Sequence, residues 1–116
     1  MMLYKPPIIE KAISGKKVAV LHDPESGYGW SSAADSRFRE FLLFDHTLVS
    51  MAELGEPVEK VCRYIKEKTG GEHVIRQSGW WAVVPKYIPI KTRFVIGTQN
   101  GKEFIQELKK IDWIVA

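Results

Sequence analysis

Cysteine is nearly absent from this chain of 116 residues: Cys62 stands alone, so no intramolecular disulfide can form. That excludes a disulfide-stapled secreted scaffold and fits a reducing compartment. Long apolar runs are missing as well. The longest, such as Trp80 to Pro85, have strand length, far below the ~18 residues of a membrane span. Met1 to Ile9 lacks the charged start and apolar stretch of a signal peptide. The expectation is a cytoplasmic protein with no membrane partner. Charge of one sign is also scarce, with a formal net charge of +3 and a pI near 9.0. The basic residues are spread along the chain, whereas dedicated nucleic-acid binders concentrate them on one face. The three histidines, His22, His46 and His73, include no pair at metal-ligand spacing, so neither a metal nor a cofactor is expected.

What is present suffices for one core. Hydrophobic residues make up 45% and charged residues 27%, with thirteen aromatics, four of them Trp. A chain this long buries about two-thirds of its unfolded surface and needs no staple.

Residues 1–16 read as an irregular N-terminal segment, with two prolines in Met1 to Pro7, and 17–116 as a single α+β domain. Lys17 to His22 is a short, mostly apolar run after Gly15 and predicts a buried strand. Asp23 to Ser32 is a loop by its Pro, Gly and Ser content. Ala33 to Leu54 predicts two helical pieces, with Asp45 capping the second and Gly55 ending it. Glu56-Pro57 starts a third helix. Its apolar stripe is Val58, Val61, Cys62 and Ile65, at i, i+3, i+4 and i+7. Glu56 with Lys60 and Glu59 with Arg63 are acid-before-base pairs on its wet side, and Gly70-Gly71 stops it. Strands are expected at Trp80 to Val84, Thr92 to Ile96, Glu103 to Glu107 and Trp113 to Val115. Asn100-Gly101 between the middle two is a strong hairpin signal. The fold class is therefore α+β: a small antiparallel sheet of the N-terminal strand and C-terminal hairpins, covered on one face by two or three helices.

Four segments carry a resemblance: Gly27-Tyr28-Gly29-Trp30-Ser31-Ser32, Leu43-Phe44-Asp45-His46-Thr47-Leu48-Val49, Val84-Pro85 to Phe94, and Asn100-Gly101-Lys102-Glu103. In order and spacing they are similar to motifs of a family of small uncharacterised proteins of bacteria, phages and other mobile elements, over roughly residues 17 to 116. His46 stands where that family has Pro, and Thr98-Gln99-Asn100-Gly101 replaces an acidic turn. The resemblance implies a mobile-element accessory protein and brings no chemistry with it.

Three functional readings stay open. The first is a non-enzymatic binding protein acting on a host protein, with Trp81, Tyr87, Lys91 and Arg93 as the contact surface, because Trp and Arg are enriched at interface anchors. The second is a nucleotide or other anionic ligand held by Gly27, Tyr28, Gly29, Trp30, Ser31 and Ser32, whose backbone N–H groups and hydroxyls could cradle an anion. A tight turn with Tyr28 and Trp30 packed inward explains the same residues, and the loop lacks a lysine. The third is weak nucleic-acid binding through bases interleaved with aromatics near the sheet. No catalytic residue is singled out. Cys62 lies on an apolar stripe, where a thiol is usually inert, and Asp45 is explained as a cap. Exposed strand edges also leave a homodimer open.

Overall fold

The computed structural model describes residues 8–108, and the predicted strand at Trp113 to Val115 lies outside them. Two antiparallel sheets and four helical segments confirm the α+β class. In chain order they are β1 (Ile13–Ser14), β2 (Lys17–His22), α1 (Ser36–Phe44), α2 (His46–Leu54), α3 (Val58–Thr69), a 3₁₀ segment (Gln77–Ala82), β3 (Val84–Pro89), β4 (Phe94–Gln99) and β5 (Lys102–Glu107). The first sheet has the order β1-β2-β3; the second is the β4–β5 hairpin.

Strand β2 is the centre of the molecule, and Val18, Ala19, Val20 and Leu21 are all buried. Successive side chains of a strand point to opposite faces, so burial of all four means that both faces are covered. Ala19 and Leu21 meet the helical core of Phe38, Phe41, Leu42, Leu48, Val49, Val61 and Ile65. Val18 and Val20 join Ile88 in a second core that Phe44, Phe94, Ile96 and Ile105 close from the other side. Helices thus cover one face, as the sequence predicts, and the β4–β5 hairpin covers the other as a separate sheet.

The hairpin was expected within a single sheet, and the outer edge of β3 shows why it is not. The amide of Ile90 donates to Lys16 O at 2.9 Å, so by alternation residues 84, 86 and 88 also turn toward β2 while 85, 87 and 89 face outward. Two of those three are prolines with no N–H to offer a neighbour, which confines β3 to an edge. Lys91, at φ 72°, then redirects the chain.

Two further local differences have equally simple causes. Trp80 to Val84 was expected as a strand, but residues 77–82 form the 3₁₀ segment and β3 begins at Val84. The Trp80 indole N–H is held by Glu56 O at 2.8 Å beneath α3, a tertiary bond that outweighs the strand preference of aromatics. Residues 8–16, expected to be irregular, supply β1 and a bridge from Lys11 to Asp45. Backbone pairing with β2 satisfies groups that would otherwise face the core edge.

The helical middle follows its residues closely. Asp45 caps α2, accepting Leu48 N–H at 3.1 Å, and Gly55 closes the helix in the left-handed conformation. Pro57 is the N-cap of α3 rather than its first turn, and Gly70 ends it. The Glu56–Lys60 pair forms at 3.3 Å. Asp45 also accepts the Tyr64 hydroxyl at 2.8 Å, tying α3 to the α1–α2 corner. Burial above all, with help from the Asp45 carboxylate, pushes that hydroxyl from its usual 10 up to about 12. A pKa raised by folding gives stability that is complete below the unfolded value and is lost as pH climbs through the folded one. Stability is therefore expected to fall between pH 10 and 12, and Tyr64→Phe should remove that component. Phenolate absorbance at 295 nm should lose its latest-titrating tyrosine in the variant, while Tyr87, which burial and then Glu53 also raise, remains in both.

Candidate functional site

The glycine-rich loop does cradle an anion, and the anion is the protein's own Glu103. The inner face of the hairpin carries Phe94, Ile96 and Ile105 into the second core, and alternation along β5 puts Glu103 on that same face. Its side chain is 2% exposed. Oε2 accepts Trp30 N–H at 2.7 Å, Ser32 N–H at 2.9 Å and the Ser32 hydroxyl at 2.5 Å. Oε1 accepts Asp23 N–H at 2.9 Å, while Glu103 N–H returns to Asp23 O at 2.7 Å. Convergent N–H groups of this kind form an anion-binding nest. Asp23, fully buried, holds the start of the loop through Ser26 N–H, Glu25 N–H and the Ser26 hydroxyl.

Gly29 allows the close approach, because its φ is +80° and an added Cβ would lie 2.9 Å from Ser32 Oγ. The hairpin tip presses on the same loop from the other side. Two of the four segments that stand out in the sequence, Gly27 to Ser32 and Asn100 to Glu103, therefore meet.

The candidate ligand residues divide accordingly. Trp30 is 5% exposed, its indole N–H donating to Leu42 O at 2.7 Å and its ring 5.7 Å from that of Trp80. Ser31 is buried, Tyr28 is half exposed, and Gly27 and Gly29 set the turn. The donors of Trp30 and Ser32 that an anionic ligand would need are engaged by Glu103. Such a ligand would have to displace a buried carboxylate that makes four hydrogen bonds.

The partner-surface candidates do not form one patch. Trp81 is 68% exposed and stands at the end of β3 where Val84 pairs with His22. Lys91 and Arg93 lie beyond the opposite end, where Pro89 pairs with Lys17. Six residues of β3 separate the ends by roughly 20 Å. Tyr87 packs against the helical core and donates its hydroxyl to Glu53 at 3.0 Å.

Trp81 has other company. An open groove of about 550 Å³ is lined by Ala52, Val58, Trp80 and Val83, with Trp81 on its wall and the polar groups of Glu56, Gln77 and Ser78 also facing it. Sequence reasoning reached Trp81 but missed the groove, because its two walls, the α2–α3 corner at residues 52–58 and the 3₁₀ segment with Val83, are distant in sequence.

Burial disfavours the ionised form of three other candidate groups. Burial, then Glu59, pushes the Cys62 thiol upward, away from a reactive thiolate. His73 lies 5.5 Å from the Phe38 ring, and burial lowers its pKa. Burial likewise lowers His22, whose Nδ1 has no hydrogen-bond partner among the described residues. No group of three metal-ligating side chains occurs among the described residues, and no described helix is long and apolar enough to cross a membrane. Comparisons with protein-family models, curated proteins and solved structures find no match.

Proposed function

We propose that the chain is a non-enzymatic binding protein that docks onto a partner polypeptide through the Trp81 groove. The observation that carries this reading is a tryptophan 68% exposed on the wall of an apolar groove. Exposed aromatic anchors beside a pocket are the usual centres of protein–protein binding energy. An apolar side chain of the partner fits against Ala52, Val58 and Val83, while Trp81 covers it. Chemistry has less support, since the Ser26 and Ser32 hydroxyls are bonded to carboxylates and the Cys62 thiol is disfavoured as a thiolate. The resemblance to small proteins of phages and mobile elements, with the single cysteine, points to a host protein of the cytoplasm as the partner.

The test is photo-crosslinking in the host cell with p-benzoylphenylalanine at position 81. A discrete adduct is expected, absent when the photoprobe replaces Lys66 on α3 and abolished by Val58→Glu in the groove. Only diffuse adducts, or an adduct indifferent to Val58→Glu, would sink the proposal. Trp81→Ala should abolish partner binding while changing stability by less than about 0.5 kcal/mol, as expected for an exposed side chain. Thermal denaturation checks that half.

A further inference from the structure

Charge is segregated on this chain in a way that only the fold makes visible. Residues 11–22 and 73–102 together hold eight of the 17 Lys and Arg and none of the 14 Asp and Glu. Those two stretches contain all of β1, β2 and β3, so the three-stranded sheet has no carboxylate of its own. At one end of it the β1–β2 turn carries Lys16 and Lys17, and the chain leaving β3 carries Lys91 and Arg93. The Ile90 N–H to Lys16 O bond at 2.9 Å fixes these two turns side by side. All four basic side chains are exposed, and none forms a salt bridge among the described residues.

Lys91 adds an independent sign. It is one of only two described non-glycine residues at positive φ, the other being Asn100 in the hairpin turn. Asn tolerates that conformation, whereas a lysine there costs about 1 kcal/mol. Glycine would fit the backbone better, so a side chain kept at that cost points to a use for it.

We infer that the Lys16–Lys17 and Lys91–Arg93 turns form a binding site for the phosphodiester backbone of a nucleic acid, separate from the Trp81 groove. Lys86, exposed on β3 five residues before Lys91, extends the row of cations by roughly 16 Å. That length matches the axial rise of about five nucleotides of one strand, which suits a linear polyanion better than a single phosphate. Among the described residues, the tip carries no tryptophan or tyrosine of the kind that anchors proteins at a lipid interface. Those residues equally supply no stacking platform for bases, so the expected binding is independent of sequence.

Fluorescence anisotropy of the full chain with fluorescein-labelled 20-nucleotide single-stranded and duplex DNA, at 50 to 200 mM salt, tests this. The expected result is affinity that falls with salt at a log–log slope of about −3, corresponding to three or four released counterions. Lys16→Glu with Lys91→Glu and Arg93→Glu should weaken binding at least about 30-fold, while Lys66→Glu with Lys68→Glu on α3 changes it less than about threefold. Lys91→Gly should keep or raise the melting temperature yet weaken binding several-fold, an outcome that a purely structural lysine would not give. Absence of binding at 50 mM salt, equal losses from the α3 variant, or unchanged affinity in Lys91→Gly would overturn the inference. Binding to phosphatidylserine vesicles without binding to DNA would overturn it too and assign the tip to a lipid surface.

Discussion

Glu103→Ala is expected to lower the stability of the domain by about 3–5 kcal/mol, as much as truncating a fully buried core phenylalanine. Truncation leaves Asp23 N–H, Trp30 N–H, Ser32 N–H and the Ser32 hydroxyl facing a cavity where two carboxylate oxygens had been. Each unsatisfied buried donor costs about 1–3 kcal/mol, and water entering the cavity recovers part of the sum. Domains of this size are stable by about 5–15 kcal/mol, so the variant should sit close to its unfolding threshold. In a small domain, the melting temperature should fall by roughly 15 °C or more. Glu103→Gln separates charge from shape. Its carbonyl oxygen can replace Oε2 and keep three donors, but its NH₂ then confronts Asp23 N–H. About half of the loss is expected. Urea titrations with an unchanged slope and a lowered midpoint would show the effect to lie in the native state. A loss below about 1 kcal/mol in Glu103→Ala would mean that the carboxylate is not the keystone of the loop.

How far the sequence discloses this architecture depends on the range of the interaction involved. The α1–α2 corner was legible because a cap, a helix and a terminating glycine are all set within ten residues. Asp45 bonds Leu48 N–H three residues on, and the signal is local. The hairpin was legible for the same reason, Asn100 and Gly101 both adopting the positive φ that their turn requires. By contrast, the 3₁₀ segment at Trp80 depends on Glu56 O, 24 residues away, and no window across Trp80 contains that acceptor. The separation of the two sheets was half visible. Pro85 and Pro89 mark an edge strand, but only the docked hairpin shows what covers the second face. For the loop, a packed tight turn and an anion cradle both stayed open, and Glu103 was not identified as the anion. Glu103 offered a signal, since alternation places it on the face that Ile105 buries, and a carboxylate on an apolar face needs a partner. The Trp81 groove had no such signal, because residues 52–58 build one wall and residues 77–83 the other, with the rest of α3 between them in sequence.

Gly101→Ala is expected to cost about 3 kcal/mol, and the reason can be separated experimentally into its two parts. Gly101 has φ +78°, which any other residue adopts only with strain, and the Cβ of an alanine would fall 1.9 Å from Gly27 O. The obstructing atom is backbone, within a loop already fixed by Asp23 and Glu103, so it cannot swing aside as a side chain would. Either the hairpin tip lifts or the loop shifts, and both lengthen the bonds to Glu103 two residues away. Gly55 is the matched control: its φ is +65°, but nothing lies within 4 Å of its added Cβ. Gly55→Ala should therefore show the conformational cost alone, about 1 kcal/mol. The remaining ~2 kcal/mol of Gly101→Ala measures the overpacking against the loop. Because Gly101→Ala and Glu103→Ala damage the same contact, the double variant should lose much less than the sum of the two. Equal losses for Gly55→Ala and Gly101→Ala would show that the tip yields freely. Additive losses in the double variant would show that tip and carboxylate act independently. Either outcome would remove the claim that the hairpin and the glycine-rich loop fold as one latch.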